Sequence, residues 1–142
     1  MSYDDVGSHL SEAGSFERAA VPLGVYLAWC ANHHLLSDDL ARRAETLVLR
    51  VRFREIPGSE LAVAGCGGVL GDEHLNPEGQ AFTARHYRAY GDLLGAAAAG
   101  GPYAVEDEWA LYDEVAPELT RWLMDFRGGR RAGRNLWWKV WK

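Results

Sequence analysis

Hydrophobic positions recur at spacings of three and four over most of the chain, which is the pattern of helices with one buried face. In "LGVYLAWCANHH", Leu23, Tyr26, Leu27, Cys30 and His34 fall on one stripe. Pro22 stands in the first turn, where a missing N–H costs little. A second helix is predicted in "SDDLARRAETLV", with Ser37 as N-cap and Asp38 and Asp39 at the positive end of the dipole. In "LVLRVRFRE", Leu47, Leu49, Val51 and Phe53 alternate with Val48, Arg50, Arg52 and Arg54. This pattern fits a continuing helix or a short half-buried strand over residues 47–53, and helix is preferred. Pro57 and Gly58 end that element, and Ser59 caps a short helix, "SELAVAGC", that stops among Gly65, Gly67 and Gly68. Asn76 and Pro77 open a longer helix whose Phe82, His86, Ala89, Tyr90, Leu93 and Leu94 share a face, and it fades into "GAAAAGG". The last element sets Trp109, Tyr112, Val115, Ala116, Leu119, Trp122, Leu123 and Phe126 on one stripe, with Pro117 expected to kink or divide it. The sum is a mainly α, single compact domain of about five helices.

Composition narrows the setting. A chain of 142 residues that is 48% hydrophobic can bury one real core. It holds no apolar run of about 18 residues, and "MSYDDVGSHLSEAGSF" lacks the basic-then-apolar order of a signal peptide, so a cytoplasmic location is expected. Cys30 and Cys66 are then expected to be free, buried thiols. Charge is uneven. Residues 127–142 hold six of the fifteen basic residues and no acidic one, which leaves nine basic against twenty acidic, or −11, in residues 1–126. An acidic body would repel a phosphate backbone, so nucleic acid is excluded and a basic protein is the natural partner. Ordinary solubilising charge explains the same imbalance equally well.

Candidate chemistry is sparse. On a helix Cys30, His33 and His34 stand at i, i+3 and i+4, but a zinc site needs three or four ligands, and Cys66, His74 and His86 are isolated in sequence. A buried thiol with histidines closing a helix C-terminus explains these letters with fewer demands. "GCGG" lacks the rest of a phosphate loop, "GDEHLNPEG" lacks the ligand order of a calcium loop, and no GxSxG supports a nucleophile. No cofactor, metal ligand or catalytic residue is assigned. Two binding elements remain. One is "EDEWALYDE", where Glu106, Asp107, Glu108, Trp109, Tyr112 and Asp113 mix aromatic anchors with carboxylates, as protein interfaces do; a helix with its aromatics inward gives the same letters. The other is a basic, tryptophan-rich tail over 127–142, in which Arg134, Trp137, Trp138, Lys139 and Trp141 could dock on the body, on a partner or weakly on an anionic membrane. Its glycines Gly128, Gly129 and Gly133 suggest a flexible join.

The order of motifs "YDD", "LGVYLAWC", "VRFREIPGSEL", "DEHLNPEGQAFTARHY" and "YAVEDEWALYDEVAPEL" resembles an uncharacterised family of small acidic bacterial proteins, a domain of unknown function, over roughly residues 3–126. The resemblance implies a helical cytoplasmic protein with no assigned reaction, some of whose relatives are thought to act beside secreted toxins as immunity proteins. Val21-Pro22 replaces the expected Thr-His, Cys66-Gly67-Gly68 replaces Cys-Asp-Gly, and a tryptophan expected near Ser8 is missing. These losses fit a binding role better than an active enzyme. An interaction protein neutralising a basic toxin is therefore ranked first, and a small-molecule or metal-dependent enzyme second.

Overall fold

The computed structural model describes residues 2–98, 100–104 and 107–139, with the backbone alone described at Ala104 and from 130 onward. The chain is mainly helical with one short sheet. It opens with strand β1 (Ser2–Asp5), followed by α1 (Val6–Ala13), α2 (Phe16–Ala19) and α3 (Val21–Asn32). Then come α4 (Asp38–Arg43), α5 (Glu45–Arg52) and α6 (Gly58–Glu60), which passes into a π-helical turn over Leu61–Gly65. Strand β2 (Val69–Gly71), a short 3-10 turn and α7 (Pro77–Ala97) follow, and after a second 3-10 turn (Pro102–Ala104) α8 runs over Glu108–Lys139.

Helix α3 is the axis of the fold. Eleven consecutive residues, Val21 to Ala31, are buried, so it shows no polar face and the expected stripe becomes a fully enclosed helix. A helix that is apolar all round has to be wrapped by neighbours. Here α5, α6, α7 and α8 all pack on it. Its polar atoms are matched inside the core: the Tyr26 hydroxyl with Thr83 Oγ1 at 2.7 Å, and Trp29 Nε1 donating to Thr120 Oγ1 at 3.1 Å. Tyr90 of α7 donates to the Pro22 carbonyl at 2.6 Å. Small residues set the closest approach. A Cβ on Gly24 would lie 2.2 Å from the Ser59 nitrogen, and one on Gly58 would lie 1.9 Å from the Gly24 carbonyl oxygen.

The alternating stretch is helical as α5, the preferred reading, and the strands lie elsewhere: β1 and β2 pair antiparallel, with Asp4 opposite Leu70 and Asp5 opposite Val69. Other expectations change. Pro117 does not divide α8. It lacks the N–H that would reach the Asp113 carbonyl, and both residues are exposed, so water can serve that carbonyl. The join expected at Gly128 and Gly129 is also helical backbone, continuous with α8, at a cost of roughly 1 kcal/mol per glycine relative to alanine. Arg127, at the start of the basic stretch, is tied to the body by bonds of 2.7 and 3.2 Å to Glu78.

The end of α3 explains "CANHH". Cys30 is fully buried, and burial pushes its thiol far above the usual range; burial likewise pushes the free Cys66 thiol up to about 12. The His33 ring packs on Trp29 at 4.9 Å, and its Nε2 lies 3.2 Å from Thr120 Oγ1. His34 takes a left-handed φ of 57° that turns the chain out of the helix. Among the described residues, no three histidines, cysteines or carboxylates converge on a point. No described helix is long and apolar enough to cross a membrane.

Candidate functional site

Helix α8 begins against α6, and the carboxylates of "EDEWALYDE" divide there by partner. Asp107 is the N-cap: its Oδ1 accepts from the backbone N–H groups of Trp109 at 3.0 Å and Ala110 at 3.2 Å while the side chain stays exposed. Glu108 turns inward and accepts from the Ser59 N–H at 2.9 Å. Burial raises its pKa above the ordinary carboxylate value, against hydrogen bonds from Ser59 and Gly58 that favour the anion. Ser59 can be there only because its neighbour Gly58 is pressed against Gly24 of α3.

The next turn of α8 is committed internally. The Arg54 guanidinium lies 4.6 Å from the Trp109 ring centre and 5.4 Å from that of Tyr112, and donates to both Asp113 oxygens at 3.0 and 2.5 Å. That bidentate bond holds the Asp113 carboxyl below its usual pKa. Tyr112 is buried, and its hydroxyl accepts from Asn32 Nδ2 at 2.8 Å. The indole Nε1 of half-buried Trp109 is enclosed and has no hydrogen-bond partner among the described residues.

Asp107, Glu108 and Trp109 border a depression of 410 Å³ that continues, through shared Glu17 and Ser59, into one of 320 Å³ between α2 and the π-helical turn. Together they make a groove lined by apolar Phe16, Val63 and Trp109 and by the carboxylates of Glu17, Glu60, Asp107 and Glu108. Among the described lining residues four carboxylates stand with the Arg18 guanidinium, and the Arg54 guanidinium lies against Trp109. Glu17 and Glu60 have no cationic partner among the described residues. Phe16, at 51% exposure, is a large apolar side chain left to solvent at the rim.

Of the residues nominated from sequence, the structure brings Asp107, Glu108 and Trp109 to this groove and turns Tyr112 and Asp113 toward Asn32 and Arg54. Glu106 and Trp141 lie outside the described residues, and Arg134, Trp137, Trp138 and Lys139 lie on the backbone of α8. Phe16, Glu17 and Glu60 escaped the sequence reading, and Ser59, expected as an N-cap, lies inside α6, whose N-cap is Pro57. They come from α2 and α6, and no local spacing links those helices to the start of α8.

No curated protein and no solved structure matches the chain. A family match extends over residues 2–103 and so stops short of α8, where the motif resemblance had been carried on to residue 126. The groove is therefore built from the matched domain on one side and from the helix beyond it on the other. With most of its length inside that match, the chain belongs to the family described as Domain of unknown function (DUF7832).

Proposed function

We propose that the protein acts by binding a basic protein partner, and that the groove between α2, α6 and the start of α8 receives a basic, partly apolar segment of it. The observation that carries this reading is the pair of carboxylates, Glu17 and Glu60, that have no cationic partner among the described residues, beside an apolar lining with Phe16 exposed. Carboxylates without such a partner are available to steer a positively charged one, and the apolar lining supplies burial once it arrives. Neutralisation of a basic toxin, in the manner of an immunity protein, is the form of this role that the resemblance suggests.

The chain's own basic stretch is a poor occupant of its groove. Arg127 lies nineteen residues beyond Glu108 on one helix, about 28 Å along its axis at 1.5 Å per residue, so the two sites sit well apart on one molecule. The tail keeps a separate role in this proposal, as a segment that contacts a partner or weakly contacts anionic lipid.

The test uses a synthetic peptide alternating lysine with leucine, and its glutamate counterpart as control. The lysine peptide should bind with an affinity that falls as salt rises, and Glu17→Lys with Glu60→Lys should weaken it at least tenfold while leaving the melting temperature nearly unchanged. Equal binding by the doubly reversed variant would remove the groove from the proposal.

A further inference from the structure

A second polar cluster borders a separate cavity that shares no lining residue with the groove. Asp4 at the end of β1 takes His9 Nε2 between its two oxygens, at 2.8 and 2.9 Å. On the other side of the ring, His9 Nδ1 lies 2.5 Å from the Tyr103 hydroxyl. The carboxylate fixes the tautomer: Nε2 carries the proton it donates to Asp4, Nδ1 keeps its lone pair, and the Tyr103 hydroxyl donates to Nδ1. Asp4 is held by further donors, the Tyr87 hydroxyl at 2.5 Å and the Ser8 hydroxyl at 3.2 Å. The chain carboxylate, imidazole, hydroxyl has the connectivity by which an oriented base activates a hydroxyl group.

This chain opens on a cavity of 260 Å³ walled by Tyr3, Tyr87 and Tyr103, with Arg88 among its lining residues. The Tyr103 oxygen makes no bond but the one to His9 among the described residues, so its lone pairs are available to a guest. Arg88 is exposed and forms no ion pair among the described residues. Burial, with smaller contributions from Glu12 and Asp4, raises the Tyr103 pKa, so the resting hydroxyl keeps its proton and passes one on only as it receives another.

We propose that this cavity is a proton-transfer site for a small planar ring compound carrying an acidic hydroxyl and an anionic substituent, such as a hydroxyaryl or enol acid. The ring lies against the tyrosines and the anionic substituent meets Arg88. The guest hydroxyl donates to the Tyr103 oxygen. Its proton moves onto that oxygen while the original Tyr103 proton moves to His9 Nδ1. The guest keeps the electron pair as an oxyanion, and the imidazolium formed is held by Asp4. One proton has moved from guest to His9, and no bond other than O–H and N–H has changed.

The probe is 3,5-difluoro-4-hydroxybenzoate, whose phenol ionises near neutrality and whose fluorine resonance and absorbance both report ionisation. At a pH where the free probe is mostly protonated, the wild-type protein should bind it as the phenolate. Tyr103→Phe keeps the ring and removes only the relaying oxygen, and His9→Gln removes the acceptor; both should bind the probe as the neutral phenol. Arg88→Gln should weaken binding about tenfold, as expected for one charge-assisted contact. Failure of the wild-type protein to bind the probe, or phenolate formation by Tyr103→Phe as complete as by wild type, would overturn the proposal. Neither outcome bears on the groove, which is tested with a different ligand and with variants at residues that do not line this cavity.

Discussion

Two carboxylate clusters of this protein sit beside aromatic rings, and they differ in how they are satisfied. Asp4 is enclosed by internal donors from Ser8, His9 and Tyr87, and belongs to the fold as much as any core residue. Glu17 and Glu60 at the groove have no such donors among the described residues, and each stands in the first turn of a short helix. A carboxylate held by internal donors is committed within the molecule; one without them is available to a partner. Loss of the first kind should show in stability, and loss of the second kind in binding.

The largest expected effect breaks the groove at its support. In Gly58→Ala the new Cβ would fall on the Gly24 carbonyl, and neither backbone can withdraw, because α3 is enclosed on every side. A loss of about 3 kcal/mol or more is expected in denaturant unfolding, and Gly24→Ala should behave the same way. Asp4→Asn comes next. It strips a charge that holds three side-chain donors and should cost about 2 kcal/mol in the same measurement, with Tyr87→Phe costing roughly 1 kcal/mol.

Glu108 lies between the two kinds, being half-spent on Ser59 and half-exposed to the groove. Its folded pKa is raised by burial, so the folded state binds the proton more tightly than the unfolded chain. Stability from this group is present at low pH and is lost as pH rises through the carboxylate range toward the raised folded value. Glu108→Gln keeps an acceptor for Ser59 and removes the charge. Thermal melts should therefore show the variant gaining on wild type as pH rises across that range. A constant difference across it would contradict the assignment. The smallest effect is that of Glu17→Gln and Glu60→Gln, each expected to change stability by no more than about 0.5 kcal/mol.

Much of the helical framework was legible because its signals are local. Ser37 accepts from Leu40 N–H and Asn76 from Gly79 N–H, as N-caps do, and Pro77 opens α7 as expected. Where tertiary contacts decide, sequence gave less. Nothing in "LGVYLAWC" announces that its polar side is also buried, since that depends on Gly24 meeting Gly58 and on Thr83 and Thr120 arriving as partners. The 47–53 stretch left a strand open beside the preferred helix because arginines alternate with apolar residues, and the buried pair there, Val48 and Val51, three apart, is the spacing of a helix. The strand at Ser2–Asp5 has no alternation to find. The same contrast governs the sites: Cys30, His33 and His34 draw attention by adjacency and turn out to be packing and a helix end, while His9 and Tyr103 meet across most of the chain.

The central claim is that the groove carboxylates serve a partner and not the fold, and salt-dependent association kinetics test it most directly. With the lysine–leucine peptide, wild type should associate faster as salt falls, and the Glu17→Lys, Glu60→Lys protein should associate slowly at every salt concentration with its melting temperature preserved. Association that keeps the wild-type rate and salt slope in the reversed protein would place the acidic contact elsewhere and contradict the account.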